Sequence, residues 1–180
     1  MTRILGIDPG VRGGLAFVII GDGVAPRLID ALDIPVIGTG AKERVDVIAL
    51  RKWIVFHRPE HALIERAQAM PKQGASSGSK YGRAVGALEA VITCCEIPLT
   101  IVEPSRWKKF HGLRGGDKEG ARQLALLQFP AAHDLLRRKK DHGRAEAALI
   151  ALAAVSIIKV SLSGDAAEGA LPRQNSEAVT

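Results

Sequence analysis

Four acidic residues stand where acids are costly to keep. Asp8 closes the apolar run ILGID, Glu65 closes HALIE, and Asp141 and Glu146 flank the start of a long apolar stretch, AALIALAAVSII. Asp8 taken alone has two readings. It is either a turn-forming acid ahead of Pro9-Gly10, bonding nearby amides, or a carboxylate presented at a strand end, where sites in α/β sheets collect. Glu65 repeats the pattern, and alone it would pass as a partner of Arg66. Two such acids on neighbouring strands repel each other and are costly to desolvate, so they invite a divalent cation.

The segment RKKDHGRAEAALIALA, residues 138 to 153, sets basic residues directly against Asp141, His142 and Glu146. A helix that starts near Asp141 places His142 and Glu146 four apart on one face, with Asp141 at the N-terminal turn. In the plain structural reading Asp141 is a helix N-cap and Arg144 and Glu146 are solvated. The apolar continuation argues for a buried helix, whose first acids then point into the protein or a cleft. Together with Asp8 and Glu65 they supply three or four oxygen donors, the hard set that magnesium or manganese prefers. Two such ions about 4 Å apart activate a water and stabilise the leaving oxygen in phosphodiester hydrolysis. The basic residues Arg137 to Lys140 would hold a phosphate backbone against them.

Several elements must position these groups. RILGID (3 to 8) and GGLAFVII (13 to 20) read as strands joined by a tight turn and hence antiparallel, and RLIDALDIP (27 to 35) as a third. Val45, Ile48, Ala49, Trp53 and Phe56 recur at helical spacing over 42 to 57, and EHALIE follows as a strand. A Gly- and Ser-opened loop leads into a helix from about 80 to 95, PLTIVEP is a further strand, and 104 to 118 is a stretch rich in glycine and basic groups. KEGARQLALLQF and RAEAALIALAAVSIIKV read as helices. The order indicates an α/β fold with a mixed five-stranded sheet flanked by helices. Residues 1–160 are expected to form one domain, and 163–180, rich in Ala, Gly and Ser, a disordered tail.

The chain has 180 residues, enough for one core without staples. Its formal charge is +6, and 104 to 144 alone holds eleven basic and four acidic residues. A clustered basic excess of that kind is the footprint of a polyanion, most often nucleic acid. The only cysteines, Cys94 and Cys95, are adjacent among apolar residues, which suits packing in a reducing compartment and builds neither a disulfide framework nor a zinc site. No leader-like segment and no apolar run of spanning length stands out, so a cytoplasmic location and no membrane association are expected. No nucleotide cofactor is expected either: an actin-like phosphotransferase, which also opens on GIDPG, should carry a further phosphate loop on a longer chain.

At ILGIDPGVRGGLA, ALIE, PSRWKKFHGLRGGDKEGAR and KKDHGRAEAALIALA, in that order from about 3 to 155, the sequence resembles the RuvC family of Holliday-junction resolvases, within the ribonuclease H-like superfamily. MPKQG, WKKFHGL and KKDHGRAEAAL look closer to its phage and chloroplast branch. The resemblance implies a ribonuclease H-like sheet and a homodimer in a bacterial or phage-infected cell. Each of its two sites would use two Mg2+ ions, with Mn2+ as a substitute, to nick one of two symmetric strands of a four-way DNA junction and leave 5'-phosphates. It maps metal-binding and catalytic acids onto Asp8, Glu65 and Glu146, with Asp141 first and His142 second as the fourth ligand or general base. Lys108, Lys109 and Lys118 fit its DNA-contacting lysines, and Arg122, Lys139 and Lys140 are expected to contact DNA beside them. Standard members carry an acid or a histidine three residues before the last acid, where this chain has Gly143, and a stacking aromatic three residues after the glutamate, where it has Gln68. Met70 and Tyr81 are candidate wedges in its place or core residues, and Trp107 is a packing anchor for the basic loop. A fork- or branch-cleaving nuclease, an RNA-DNA hybrid nuclease and a non-catalytic junction-binding protein are the alternatives.

Overall fold

The structure is a computed structural model and describes residues 1–21, 23–66, 75–114 and 117–164. Gln68, Met70 and Pro71 lie outside the described residues, as does the expected tail from 165 onward.

Three strands open the chain as a meander: β1 (Thr2–Asp8), β2 (Gly14–Gly21) and β3 (Val24–Asp33). A small hairpin, β4 (Val36–Ile37) with β5 (Arg44–Val45), leads to α1 (Val47–His57). The helical periodicity from 42 therefore begins five residues late. Asp46 sets the boundary, its carboxylate accepting from Ile48 N at 3.1 Å and Ala49 N at 3.0 Å. Then come β6 (His61–Glu65), α2 (Ala75–Cys94), β7 (Leu99–Val102), α3 (Pro104–Phe110), α4 (Lys118–Gln128), α5 (His133–Leu136) and α6 (His142–Gly164). α3 lies in the stretch that reads as glycine-rich and basic; Pro104 opens it in the first helical position, where no N–H is needed. α6 runs two residues into the segment expected to be disordered.

Five strands form one mixed sheet in the order β3-β2-β1-β6-β7. β1, β2 and β3 pair antiparallel, whereas β1 with β6 and β6 with β7 pair parallel. The ribonuclease H-like mixed sheet expected from the sequence is the one observed. Both faces are covered, which explains why β1 and β6 are continuous apolar runs rather than alternating ones. Leu5, Ile7 and Ile64 pack toward Leu50 and Ile54 of α1 and Leu88 and Ile92 of α2. Ile4, Leu63 and Val102 pack toward α6, with Trp107 of α3, Ala121 and Ala125 of α4 and Leu136 of α5.

α6 is the innermost helix. Its residues from Ala147 to Ala151 are fully buried, and alanine dominates because the helix lies almost on the sheet. A Cβ at Gly6 would overlap Ala147 O, and one at Gly14 would overlap the Gly143–Arg144 backbone. Glycine at those two positions lets the start of α6 settle on the ends of β1 and β2, next to Asp8.

Candidate active site

Strand alternation decides which way the acids face. Ile4 and Leu63 point to the α6 side of the sheet, so Asp8 and Glu65, at even steps from them along β1 and β6, point there as well. The parallel register pairs Gly6 with Leu63 and Ile7 with Ile64, and one further step sets Asp8 beside Glu65. Glu146, on the second turn of α6, comes over them from the helix.

Their charges are felt mutually. The Asp8 carboxyl is pushed well above its ordinary value, first by burial and then by the negative charges of Glu146 and Glu65, against the pull of Lys118 and Lys108. Burial also raises Glu65; the Trp107 indole and Lys108 work against it, and Glu146 adds to it. Trp107 Nε1 donates to Glu65 Oε2 at 2.6 Å. Tyr81 of α2 stands at the same place: burial, then the charges of Asp8 and Glu65, push its phenol up to about 12. Its ring covers Gly10, where a Cβ would lie 3.2 Å from Cε2.

Asp141 is not part of this group. Fully buried, it accepts from Arg138 N at 2.9 Å and from Arg138 Nε at 3.1 Å on each oxygen, with Arg138 Nη2 at 2.9 Å and Arg144 Nη1 at 3.9 Å. Burial alone would raise its carboxyl, but the Arg138 bonds and the two guanidinium charges outweigh it and hold the group below its ordinary value. The carboxylate is engaged by Arg138 at the turn preceding α6. His142, the first residue of α6, opens instead onto a groove lined by Asp117, Lys118, Glu119, Lys139 and Lys140.

The basic residues divide in the same way. The charges of Lys108 and Lys118 reach both Asp8 and Glu65, and Lys139 and Lys140 join Lys118 along the groove. Lys109 is exposed on α3 beside Lys108. Arg122 stands apart from the lysines. It is buried, pairs with Glu119 Oε1 and donates to the carbonyls of Leu136 at 3.2 Å and Arg137 at 2.9 Å, so its guanidinium is engaged within the protein. The spacing that makes it look like part of a basic track places it on the inner face of α4.

Two neighbours of the acids were not legible as such. Tyr81 reads as a wedge or a core residue and Trp107 as a packing anchor, yet both stand against the acids. The signal that was available is chemical: a buried indole N–H needs an acceptor.

Among the described residues, no group of three His, Cys, Asp or Glu side chains is gathered as a ready-made metal cage. The donor set nevertheless fits a hard divalent cation. Asp8 carries a desolvated carboxyl loaded further by two like charges, a burden that a cation between Asp8, Glu65 and Glu146 would relieve.

No protein-family model matches the chain. Among individual proteins, the crossover junction endodeoxyribonuclease RuvC of Alkalilimnicola ehrlichii is 33% identical over 129 residues, which covers 71% of this chain and 76% of that one. The chain belongs to the RuvC family. The RuvC of Halorhodospira halophila is 36% identical over 115 residues, covering 61% of this chain and 65% of that one. In fold, Thermus thermophilus RuvC in complex with a Holliday junction substrate superposes with a TM-score of 0.65 at 20% identity over 88% of this chain and 96% of that one. Fowlpox virus resolvase bound to Holliday junction DNA gives 0.55 at 13% identity over 86% and 99%. RuvC-family nucleases are metal-dependent, in keeping with the acids at the ends of β1 and β6. Among the described residues no helix is long and apolar enough to cross a membrane.

Proposed function

We propose that this chain is a crossover junction endodeoxyribonuclease that resolves four-way DNA junctions by paired symmetric nicks leaving 5'-phosphates. The observation that carries the reading is the convergence of Asp8 and Glu65, side by side on parallel strands, with Glu146 from α6, beneath the positive charge of Lys108 and Lys118. Like-charged acids placed together at this cost suit a site for divalent cations that act on a phosphate.

Asp8, Glu65 and Glu146 would hold two Mg2+ ions, with Mn2+ as a substitute. When bound, the ions supply Lewis-acid stabilisation of the charge that develops on the phosphate and lower the pKa of the attacking water. The protein's own contribution begins with electrostatics: Lys108 and Lys118 offset the acids and draw the scissile phosphate in. Lys118, Lys139 and Lys140 would track the strand along the groove, and His142, which lines the same groove, would accept a proton from the attacking water or complete the ligand set. Asp141 holds the approach to α6 through Arg138. Symmetric cutting requires two such sites, which supports a homodimer on a junction with matching two-fold symmetry.

The test is Mg2+-dependent cleavage of a synthetic four-way junction, with a Y-fork, a linear duplex and an RNA-DNA hybrid alongside and Asp8→Asn as control. Paired symmetric nicks confined to the junction, lost in Asp8→Asn, are expected. Preference for the fork or the hybrid would overturn the resolvase reading while keeping the nuclease site, and inactivity on every substrate despite tight junction binding would leave a non-catalytic binding protein.

A further inference from the structure

Trp107 is fully buried at the middle of α3, and its indole N–H meets a carboxylate rather than a backbone carbonyl. The bond to Glu65 Oε2 is 2.6 Å long, a short part-buried contact from a fully buried donor to a carboxylate oxygen. Glu65 Oε1 takes no hydrogen bond among the described residues, so the indole restrains one oxygen and leaves the other open.

The indole is itself held. His111, one turn further on, stacks edge to face on it with ring centres 6.3 Å apart and donates from Nε2 to Leu149 O of α6 at 2.8 Å. Lys108 Nζ lies 5.1 Å above the centre of the indole ring. A single rigid turn thus connects α6, the strand-end glutamate and a lysine whose charge reaches the acids. A tryptophan needed only to fill space would be served as well by a carbonyl acceptor.

We propose that Trp107 is a positioning residue of the metal site: its indole N–H fixes Glu65 by Oε2 so that Oε1 is presented, with Asp8 and Glu146, to a divalent cation. The inference rests on the metal-site reading above. It predicts that removing the N–H while keeping an aromatic ring loosens the ligand and weakens cation binding even before DNA is present. Outer hydrogen bonds to metal ligands are worth about 10-fold to 100-fold in affinity.

The experiment is Mn2+ binding to the full chain without DNA, followed by electron paramagnetic resonance, for wild type, Trp107→Phe and Glu65→Gln. Trp107→Phe should bind Mn2+ about tenfold or more weakly, while its metal-free affinity for a four-way junction stays within about twofold of wild type. A second measurement needs no change at Trp107. The chain has two tryptophans, so Trp53→Phe leaves one indole N–H resonance, and Mg2+ should shift it in step with binding. Wild-type Mn2+ affinity in Trp107→Phe alongside weakened binding in Glu65→Gln would overturn the positioning role alone. An indole resonance that ignores saturating Mg2+ would do the same. Wild-type binding in Glu65→Gln would remove the metal-site reading, and this inference with it.

Discussion

Asp8 and Gly143 meet across the seam between sheet and helix: a Cβ at position 143 would lie 3.2 Å from Asp8 Oδ2, 3.0 Å from Gly13 C and 3.2 Å from Gly14 N. The position three residues before Glu146 is here backbone pressed against the first acid of the site. Gly143→Ala should therefore act on both fold and function. Overpacking of this kind costs about 1–3 kcal/mol, readable as a lowered urea midpoint, and the displaced Asp8 should cut junction cleavage more than junction binding. Gly143→Asp should be worse still, because a second carboxylate beside Asp8 adds like charge to the steric conflict. Wild-type cleavage in Gly143→Asp would show that α6 can lift from the sheet at little cost.

Asp8 should destabilise the metal-free protein at neutral pH. Its folded value lies above the ordinary 3.8, so the folded state holds this proton more tightly than the unfolded chain does. The stability this contributes is complete below 3.8 and is lost as pH rises through the raised folded value. Asp8→Asn carries no such loss. In the presence of a chelator it should melt higher than wild type at pH 7 and above, and the advantage should shrink toward pH 4. Added Mg2+ should raise the melting temperature of wild type and not of the variant, while cleavage in the variant falls by at least about a hundredfold. A variant that melts lower than wild type in chelator would contradict the load assigned to this carboxyl.

Arg122 and the exposed lysines should part company in DNA binding. Arg122→Ala removes bonds to two carbonyls and leaves them without their donor, a loss of about 1–3 kcal/mol in stability. The slope of junction affinity against salt should stay as in wild type. Lys139→Ala with Lys140→Ala should do the reverse, leaving the melting temperature near wild type and flattening the salt dependence by about two charges' worth. Glu119, whose carboxyl is drawn down to about 2 chiefly by its bond to Arg122, would return toward its ordinary range in Arg122→Ala, which carbon-13 titration of its side chain reads directly.

The architecture was largely legible because each of its signals is local. Strand length, the tight turn at Pro9-Gly10 and the apolar run after Glu146 depend on neighbours in sequence, and the strand-end acids stand out because burial makes them improbable without a reason. What escaped depends on contacts between distant segments. Arg122 looks like one more basic residue in a basic stretch until Leu136 and Arg137 turn their carbonyls toward it. Asp141 looks like a ligand until Arg138 folds back on it. Trp107 and Glu65 are 42 residues apart, and no periodicity announces a bond between them.

The fourth position is decided by separating stability from rate. Asp141 is the buried member of a pair with a half-exposed Arg138, so its loss should act on the approach to α6 as a whole. Its folded value lies below the ordinary 3.8, so the stability it contributes is present above 3.8 and is lost only as pH falls through the depressed folded value. Asp141→Asn should accordingly melt lower than wild type at pH 7, by an amount that narrows in acid. Cleavage per folded molecule should drop only modestly. His142→Ala should show the opposite signature: an unchanged melt, unchanged junction binding and a cleavage rate lower by about 10²- to 10⁴-fold if the imidazole takes the proton of the attacking water. A His142→Ala enzyme that cleaves at the wild-type rate across the whole pH range, beside an Asp141→Asn enzyme that folds normally and does not cleave, would return the fourth position to Asp141.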